Sequence, residues 1–423
     1  MTKTHKSIVK YNKARHTKKL TTSNNSIDDS KKHKHSYYTI HCNKHFSINY
    51  KYLEGLLESL GVKRDSEAMN TIKAKDIKFF KSIRKPFDSY CESFTQLPKF
   101  NKNLVKADVF LVQTYNPVLK KRFYDYPKYF TNVFDDKKLD KFTNKNDILK
   151  EFRKISVRFS NKYIPETFNI NDIAKYKFPK WYILRPIDGA LGKDLFYVNN
   201  AKELNSISNY YKITKNIKRR FYGENVIASE YIINPLLFQG KKFHLRCYFV
   251  VSLTNNIFNS FLFDICRFMF AEKLFNMDSP FNNETHTTAG RYTYEDRYFP
   301  FDFNKENLGI DIDESKINKL WKHITNICRV LAKIFENNKD DLIYSNVKNA
   351  YNICAIDIIV RDDMIPAFIE LNINPSISAI NDIIYNMVSR ILYKWINDTV
   401  LEPLFKYNDP MIARKHPTYI KPF

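Results

Sequence analysis

Apolar and polar positions alternate with a period of two along several stretches of this chain, and that period is typical of β-strands. The unbroken apolar run Val109–Val112 predicts a buried strand. The other predicted strands are the strand-loop-strand segment Trp181–Val198, Val226–Ile232, Lys242–Leu253 and Ile257–Phe270. The last two are joined by the turn-forming residues Thr254–Asn256, which predicts a long antiparallel hairpin.

A period near 3.6 residues predicts amphipathic helices elsewhere in the chain. These helices are expected at Tyr50–Leu60, at Asp76–Ile83, in a segment ending near Ile155, at Ser315–Asn337 and at Ile380–Phe405. The third should begin near Thr143 or Asn144, because both side chains can accept hydrogen bonds from the first free N–H groups of a helix. The mixture of helices and strands predicts a mixed α/β (α+β) protein.

The first 36 residues hold ten Lys and Arg against Asp28 and Asp29, with almost no apolar period, which predicts a disordered basic arm. Order is expected from Tyr37 onward. The predicted segments are an arm at 1–36, an N-terminal α/β domain at 37–140, a central domain at 141–222, a C-terminal domain at 223–407 and a tail at 408–423.

Three oxygen-bearing side chains interrupt two apolar strands near the C-terminus. Asp357 lies on the first strand, Glu370 and Asn372 lie on the second, and the polar residues Arg361–Met364 form a turn between them. If the register places Asp357 opposite the other two, the three oxygens suit Mg²⁺, with water and nucleotide phosphates completing its shell. Taken alone, these residues also fit an edge strand whose polar face meets water.

A second feature is a strand-to-strand loop with two glycines, Gly189 and Gly192. Glycines let the backbone approach a ligand closely, and their N–H groups can surround phosphate oxygens. Arg185 before the loop and Lys193 within it add positive charge. On its own the pattern fits an ordinary hairpin equally well, and it is neither a Walker loop nor a dinucleotide fingerprint.

Composition narrows the class of protein. A hydrophobic fraction of 43% predicts a sizeable folded core, and a net charge of +24 attracts polyanions such as nucleic acid, anionic lipid or acidic protein without choosing among them. Six cysteines without metal-type spacing, and the lack of a long apolar run or signal segment, lead us to expect a reduced, cytoplasmic monomer that does not enter membranes. Lys242, His244 and Arg246 alternate on one strand face, which must therefore meet solvent or anions.

Several motifs together resemble the tubulin-tyrosine ligase-like family of the ATP-grasp superfamily. Residues Ser229–Tyr248 resemble its Q-K-Y-I-x-N-P-L-L…G-R-K-F-D-x-R-x-Y stretch, and the glycine loop resembles its W-x-x-K-P-x-x-G-x-x-G segment. The Asp357 hairpin is similar to its D-x-x-x-D…x-x-E-x-N-x-x-P-S end, while Phe142–Leu149 and Ile164–Phe168 resemble its central-domain opening. The resemblance covers roughly residues 100 to 400.

The resemblance implies an ATP-grasp fold with the nucleotide held between the central and C-terminal domains. It implies that ATP is bound by Lys145, Arg185, Gly189, Gly192, Lys193, Ser229, Glu230, Tyr231, Ile232, Lys242, Thr288, Asp357 and Asn372. It further implies that Asp357, Glu370 and Asn372 bind Mg²⁺, and that Lys242 and Arg246 are catalytic, over the phosphates and the substrate carboxylate.

The implied reaction is ATP-dependent amide formation through an acyl phosphate, joining a free amino acid to an acidic polypeptide such as a tubulin C-terminal tail. Such an acceptor would associate the protein with the cytoskeleton. Positions that depart from the family pattern are His244 in place of Asp, Asp264 and Met269 in place of an arginine pair, Asp194 in place of the last loop glycine and Arg185 in place of Lys.

Two functions therefore remain open. The first is an active ligase, favoured by the retained Asp357, Glu370 and Asn372. The second is a catalytically weakened relative that binds microtubules, acidic proteins or nucleic acid, favoured by the altered positions. Nucleic-acid binding through the basic arm is not favoured, because the arm lacks the interleaved aromatic residues of a stacking surface.

Overall fold

A computed structural model describes residues 36–41, 56, 59–60, 63–64, 109–113, 130–131, 142, 144–187, 194–218, 226–278, 283–288, 296–300, 312–342, 349–373, 375 and 390–423. The arm predicted at 1–36, apart from Ser36, and the helix predicted at Asp76–Ile83 lie outside these residues. The described strands form one sheet of ten and one of four, with helices packed against both, so the mixed α/β prediction is confirmed.

The strands are β1 Ser36–His41, β2 Lys63–Arg64, β3 Val109–Gln113, β4 Phe130–Thr131, β5 Thr167–Asn169, β6 Tyr182–Pro186, β7 Phe196–Val198, β8 Val226–Glu230, β9 Leu237–Phe238, β10 Lys241–Thr254, β11 Ile257–Phe270, β12 Asp296–Pro300, β13 Asn349–Val360 and β14 Pro366–Ile373. The longer helices are α1 Lys145–Ile155, α2 Val157–Tyr163, α3 Ala201–Lys218 and α4 Glu314–Asn337. Shorter helical segments are Ile173–Lys175, Asn283–His286, Lys339–Leu342, residues 390–396, the π-helix Asn397–Leu401, Glu402–Phe405 and Ile412–Lys415. Among the described helices, none is both long enough and apolar enough to cross a membrane.

The large sheet has the order β12-β11-β10-β13-β4-β3-β1-β2, with β14 paired to β13 and β9 paired to β10. Its centre is the predicted long hairpin, whose turn residues Asn255 and Asn256 have φ angles of 49° and 65°. Asparagine tolerates this left-handed conformation, which two-residue hairpin turns require. The parallel strands β1 to β4 come from the predicted N-terminal segment and extend the sheet built by the C-terminal segment.

The two faces of the large sheet have different surroundings. Leu245 and Cys247 of β10 point into a core shared with α4, whereas Tyr248 and Val250 point into a second core with the helix at residues 390–396. Because side chains alternate along a strand, the even-numbered residues at the start of β10 lie on the second face. The basic positions of β10 are therefore kept out of the α4 core.

The small sheet, ordered β5-β8-β6-β7, packs its apolar face on α3. At the other end of the chain, the segment predicted as a tail lies along β11. The Ile420 N–H donates to the Ser260 carbonyl at 2.8 Å, and the Ser260 hydroxyl donates to the Ile420 carbonyl at 2.7 Å. These bonds tie the C-terminal residues to the hairpin.

Four cysteines, Cys247, Cys266, Cys328 and Cys354, are reduced and fully buried, as the sequence predicted for apolar runs. Burial raises the pKa of the Cys266 and Cys328 thiols well above the ordinary value and that of Cys354 to about 12. Since the thiolate is the reactive form, we expect all four to resist iodoacetamide in the folded protein and to react after unfolding in guanidinium. Peptide mapping by mass spectrometry measures this, and native labelling of Cys266 at the rate of a free thiol would contradict it.

Candidate active site

Four charged residues stand side by side across four neighbouring strands. The register pairs Glu370 of β14 with Asp357 of β13, Asp357 with Arg246 of β10, and Arg246 with Arg267 of β11. Residues directly opposite each other in a sheet point to the same face. This charged row (Glu370, Asp357, Arg246 and Arg267) therefore has two carboxylates at one end and two guanidinium groups at the other. The predicted placement of Asp357 opposite Glu370 is confirmed.

Asp357 and Arg246 form a nearly buried ion pair at the centre of the row. Arg246 Nε donates to Asp357 Oδ1 at 2.8 Å and its terminal nitrogen donates to Oδ2 at 2.7 Å. Burial alone would raise the pKa of Asp357, but the charge and hydrogen bonds of Arg246 outweigh it and lower the pKa to about 2. The same pair raises the pKa of Arg246 despite its burial. Asp357 is thus ionised at neutral pH.

Asn372 ties the two carboxylates together. Its Nδ2 donates to Asp357 Oδ2 at 3.0 Å and to Glu370 Oε1 at 3.4 Å. Asn372 lies two residues after Glu370 on β14, so the alternation of the strand puts both side chains on the same face. The three predicted metal ligands therefore converge.

A lysine from the first turn of α1 reaches the same carboxylates. Asn144 caps this helix, as predicted, by accepting hydrogen bonds from the N–H groups of Asn146 and Asp147. The cap fixes the direction of Lys145, whose Nζ lies 3.2 Å from Glu370 Oε2. The same Nζ donates to the carbonyl of Ile187 at the end of β6, also at 3.2 Å. Lys145 thus links the small sheet to the charged row.

Lys242 lies on the same strand face as Arg246 and is only 2% exposed. Its Nζ donates to the Tyr231 hydroxyl at 2.9 Å and sits 4.3 Å from the centre of that ring. The Tyr231 hydroxyl in turn lies 2.7 Å from Nδ1 of His286. Burial lowers the pKa of Lys242 to about 7, which makes this side chain sensitive to the approach of a negative charge.

His244 lies between these two basic residues on β10. Its Nδ1 is 2.6 Å from the hydroxyl of Thr288, and its Nε2 is 3.8 Å from Asp357 Oδ2. Burial lowers the pKa of His244 to about 4, because desolvation together with neighbouring cations outweighs the attraction of Asp357. The imidazole is therefore neutral at physiological pH. Thr288, a predicted nucleotide-binding residue, contacts the site through this histidine.

Arg185 of β6 is half-buried and donates to the Ser229 hydroxyl at 3.5 Å. The Ser229 hydroxyl also accepts from Thr167 at 3.0 Å. Burial lowers the pKa of Arg185, and the nearby Glu370 carboxylate partly offsets this effect. The other predicted residues of this loop, Gly189, Gly192 and Lys193, lie outside the described part of the chain.

Two predicted nucleotide-binding side chains lie apart from this cluster. Glu230 forms an ion pair with Lys180 at 2.7 Å, with both side chains more than a third exposed. Together with Ile232 it lines a cavity of about 680 Å³, whose walls do not include any residue of the charged row. Any role of Glu230 and Ile232 toward a nucleotide at the row would therefore fall to their backbone.

The family model of the tubulin-tyrosine ligase family matches residues 120–407, a range that includes every residue of the charged row. The chain belongs to the tubulin-tyrosine ligase family. It is 23% identical over 234 residues to "Probable alpha-tubulin polyglutamylase Ttll1" of Tetrahymena thermophila, which covers 51% of this chain and 55% of the relative. It is 24% identical over 269 residues to "Probable tubulin polyglutamylase ttll-9" of Caenorhabditis elegans, covering 59% of each. The chain thus spans somewhat over half the length of these curated relatives.

Membership of the tubulin-tyrosine ligase family confirms the resemblance predicted from the motifs. The structure adds one residue, Arg267, that the predicted site did not include, although alignment with the family motif places this arginine between Asp264 and Met269, displaced from the usual pair. Its position in the row depends on a bulge between Cys247 and Phe249 of β10, where the register with β11 shifts. Counting back from the hairpin turn without the bulge would pair Arg246 with Ile265. The evidence that Arg267 belongs to the charged row therefore comes from the geometry of the sheet.

The donor atoms at this site fit a divalent cation bound with a nucleotide. Asp357 and Glu370 supply carboxylate oxygens, which suit Mg²⁺. Asn372 turns its Nδ2 toward them, so its amide would have to rotate to present Oδ1 to a cation. Within the described residues, no group of three or more His, Cys, Asp or Glu side chains is placed to hold a metal. Lys145 pairs with Glu370 and Arg246 pairs with Asp357, while Arg267 lies opposite Arg246 and Lys242 lies on the same strand face as Arg246. A phosphate chain would therefore meet an excess of positive charge.

Replacing Lys242 by methionine is expected to stabilise the folded protein by about 1–3 kcal/mol near neutral pH, because it removes a buried ammonium group. The folded pKa, about 7, is below the ordinary value of 10.5, so the charge opposes folding most at low pH. This penalty declines as the pH rises from about 7 to 10.5. Urea unfolding of variant and parent at several pH values measures the effect.

The control for this prediction is Lys319→Met, which changes an exposed lysine of α4 and should alter stability by less than about 0.5 kcal/mol. A Lys242→Met protein that is less stable than the parent at neutral pH would show that the bond to Tyr231 outweighs the cost of burying the charge. A gain of equal size at neutral and alkaline pH would contradict the electrostatic explanation.

Proposed function

We propose that this chain is an ATP- and Mg²⁺-dependent ligase that joins an amino acid to a carboxylate of an acidic polypeptide. The observation that carries the proposal is the charged row, in which two carboxylates tied by Asn372 stand beside Arg246 and Arg267. Carboxylates suit the cation of a nucleotide, and guanidinium groups suit phosphate or carboxylate oxygens. Family membership supports the same reaction class.

In this proposal the nucleotide lies between the small sheet and the large sheet, the predicted central and C-terminal domains. The contact of Lys145 with Glu370 supports this position, because it joins α1 and the end of β6 to the row. Asp357, Glu370 and Asn372 would hold Mg²⁺, which when bound neutralises phosphate charge. Lys145, Arg185 and Lys242 would bind phosphate oxygens.

The proposed reaction has two steps. An acceptor carboxylate oxygen attacks the γ-phosphorus of ATP, and the bond between that phosphorus and the β-phosphate oxygen breaks. The products are ADP and an acyl phosphate on the acceptor. The amino group of the free amino acid then attacks the acyl carbon, loses a proton and displaces inorganic phosphate. Arg246 and Arg267 would orient the reacting carboxylate and spread its negative charge, since catalysis of this kind rests mainly on positioning and charge stabilisation.

We propose an acidic protein tail, with that of tubulin as the leading case, as the acceptor. Two relatives carry the name tubulin polyglutamylase, and the net charge of +24 attracts acidic chains over long range. With tubulin as acceptor, the protein would act in the cytoplasm on microtubules or their subunits. The amino acid that is added can be identified by comparing labelled glutamate, glycine and tyrosine as substrates.

The test is incorporation of labelled glutamate, glycine or tyrosine into tubulin in the presence of Mg²⁺ and ATP. The control acceptor is tubulin from which limited proteolysis has removed the acidic C-terminal tails. We expect ADP release and labelling with intact tubulin, and loss of both without the tails. ATP binding without labelling of tubulin or of any protein in a host lysate would reject the ligase.

One observation favours a second function, a binding module with weakened catalysis. His244 and Met269 face each other in the register at positions where the family usually carries Asp and Arg, so the site has lost two of the family's charged side chains. Such a protein would bind acidic chains without modifying them. Microtubule co-sedimentation in the absence of any labelling would select this function.

A further inference from the structure

His244 occupies an unusual position for a buried histidine. It is 5% exposed, and one ring nitrogen, Nδ1, is engaged by Thr288 at 2.6 Å. The other, Nε2, has no hydrogen-bond partner among the residues that the structure describes. It lies 3.8 Å from Asp357 Oδ2, an oxygen that also accepts from Arg246 at 2.7 Å and from Asn372 at 3.0 Å, so a cation bound there would take the place of one of these hydrogen bonds. A buried ring nitrogen that points at a carboxylate without bonding to it requires an explanation.

The separation of the two atoms matches a cation shared between them. Transition-metal ions bind imidazole nitrogen and carboxylate oxygen at about 2.1 Å each, so two ligands of one ion lie about 3.0 Å apart at a right angle and at most about 4.2 Å apart. The 3.8 Å between His244 Nε2 and Asp357 Oδ2 falls inside this range. A direct hydrogen bond would require a shorter distance.

The contact with Thr288 supports the same assignment. A metal-binding histidine usually donates its other ring N–H to a nearby oxygen, which fixes the ring and leaves the second nitrogen free to bind the ion. The 2.6 Å contact between Nδ1 of His244 and the Thr288 hydroxyl allows this arrangement in the tautomer that carries its proton on Nδ1. Glu370 and Asn372, joined to each other at 3.4 Å, lie on the next strand at the same site.

We propose that His244 Nε2 and Asp357 Oδ2 bind one divalent cation, so that the cation site of this chain contains a nitrogen donor. The inference rests on the proposed function, because nucleotide phosphates must complete the coordination shell. Imidazole favours later transition metals, whereas an all-oxygen site favours Mg²⁺ and Mn²⁺. The site should therefore accept Co²⁺ in preference to Mg²⁺ more strongly than a site with aspartate at this position.

The first experiment records the electron spin-echo modulation of Mn²⁺ bound to the full chain with ATP. Protein containing ¹⁵N-histidine is compared with unlabelled protein, so that a histidine nitrogen is separated from the nitrogens of adenine without any mutation. We expect an isotope-dependent nitrogen coupling that is lost in His244→Asp. The control is His323→Gln, which changes a buried histidine whose Nδ1 also lies 2.6 Å from a hydroxyl, that of Tyr163.

The second experiment measures the affinity of Co²⁺ and of Mg²⁺ in the presence of ATP. The ratio of Co²⁺ to Mg²⁺ affinity should fall at least about tenfold in His244→Asp and remain unchanged in His323→Gln. Mn²⁺ and ATP that bind without a histidine coupling would overturn this inference while leaving the ligase proposal intact. Failure of ATP and metal to bind at all would overturn both the inference and the ligase proposal. ADP release measured with Mg²⁺ distinguishes the two outcomes, because it persists when only the inference fails and is absent when the ligase proposal fails.

Discussion

Replacement of Glu370 by glutamine should reduce ATP-dependent labelling of the acceptor at least about 100-fold, the size expected when one preorganised charge-stabilising group is lost. Glutamine keeps the shape of the side chain but removes its charge. The variant therefore loses a carboxylate next to Asp357 and the ion pair with Lys145 at 3.2 Å. Labelled amino-acid incorporation and ADP release, measured together, report the loss.

The matched control is Glu336→Gln on α4, where the glutamate pairs with Lys333 at 3.1 Å on the helix surface. Removing that half-exposed pair, which lies away from the charged row, should leave the rate unchanged and cost less than about 1 kcal/mol of stability. Thermal unfolding of both variants shows whether the fold is retained. If Glu370→Gln keeps more than half of the parent rate, Glu370 is not part of the reaction centre.

The sequence predicted the long hairpin well, because its evidence is local. Alternation along β10 and β11 and the two asparagines at the turn point to one arrangement, and the structure has it. The cap at Asn144 was equally accessible, since an N-cap depends only on the residue before the helix and on the next N–H groups. Local patterns of this kind determine where strands and helices begin.

The detail of the site depends on two bulges that no local pattern revealed. A regular hairpin counted from the pair Val360 and Pro366 would set Ile369 opposite Asp357, and Glu370 would then face the α4 core. The irregularity after Asp357 restores Glu370 to the row. A one-residue shift moves a side chain to the other face of a sheet. The sequence alone therefore could not determine whether Asp357 lies opposite Glu370.

Contacts between distant segments were also beyond the sequence. Lys145 and Glu370 are separated by more than two hundred residues. His244 contacts Thr288, which lies in a segment whose sequence has no periodic pattern. The sequence indicated that His244 replaces a family aspartate, but only the fold shows that its Nε2 points at Asp357. Family motifs therefore located the residues, while tertiary packing determined what each one contacts.

Replacement of Asp357 by asparagine is expected to destabilise the protein by about 3–5 kcal/mol, because it leaves the buried guanidinium group of Arg246 without its charge partner. The pair is nearly enclosed, with side-chain exposures of 7% for Asp357 and 13% for Arg246. The folded pKa of Asp357, about 2, lies below the ordinary value of 3.8. Its stabilising contribution is therefore complete above about pH 4 and is lost as the pH falls toward 2.

A double-mutant cycle separates the pair from the cost of an unpaired charge. Asp357→Asn combined with Arg246→Met should recover most of the lost stability, with a coupling energy of about 2–4 kcal/mol in urea unfolding. Asp172→Asn is the control, because Asp172 pairs with Lys175 at 3.1 Å on the surface and should cost less than about 1 kcal/mol. Additive effects of the two substitutions would mean that Glu370, and not Asp357, balances the charge of Arg246. A second cycle that combines Glu370→Gln with Arg246→Met would then show the coupling energy.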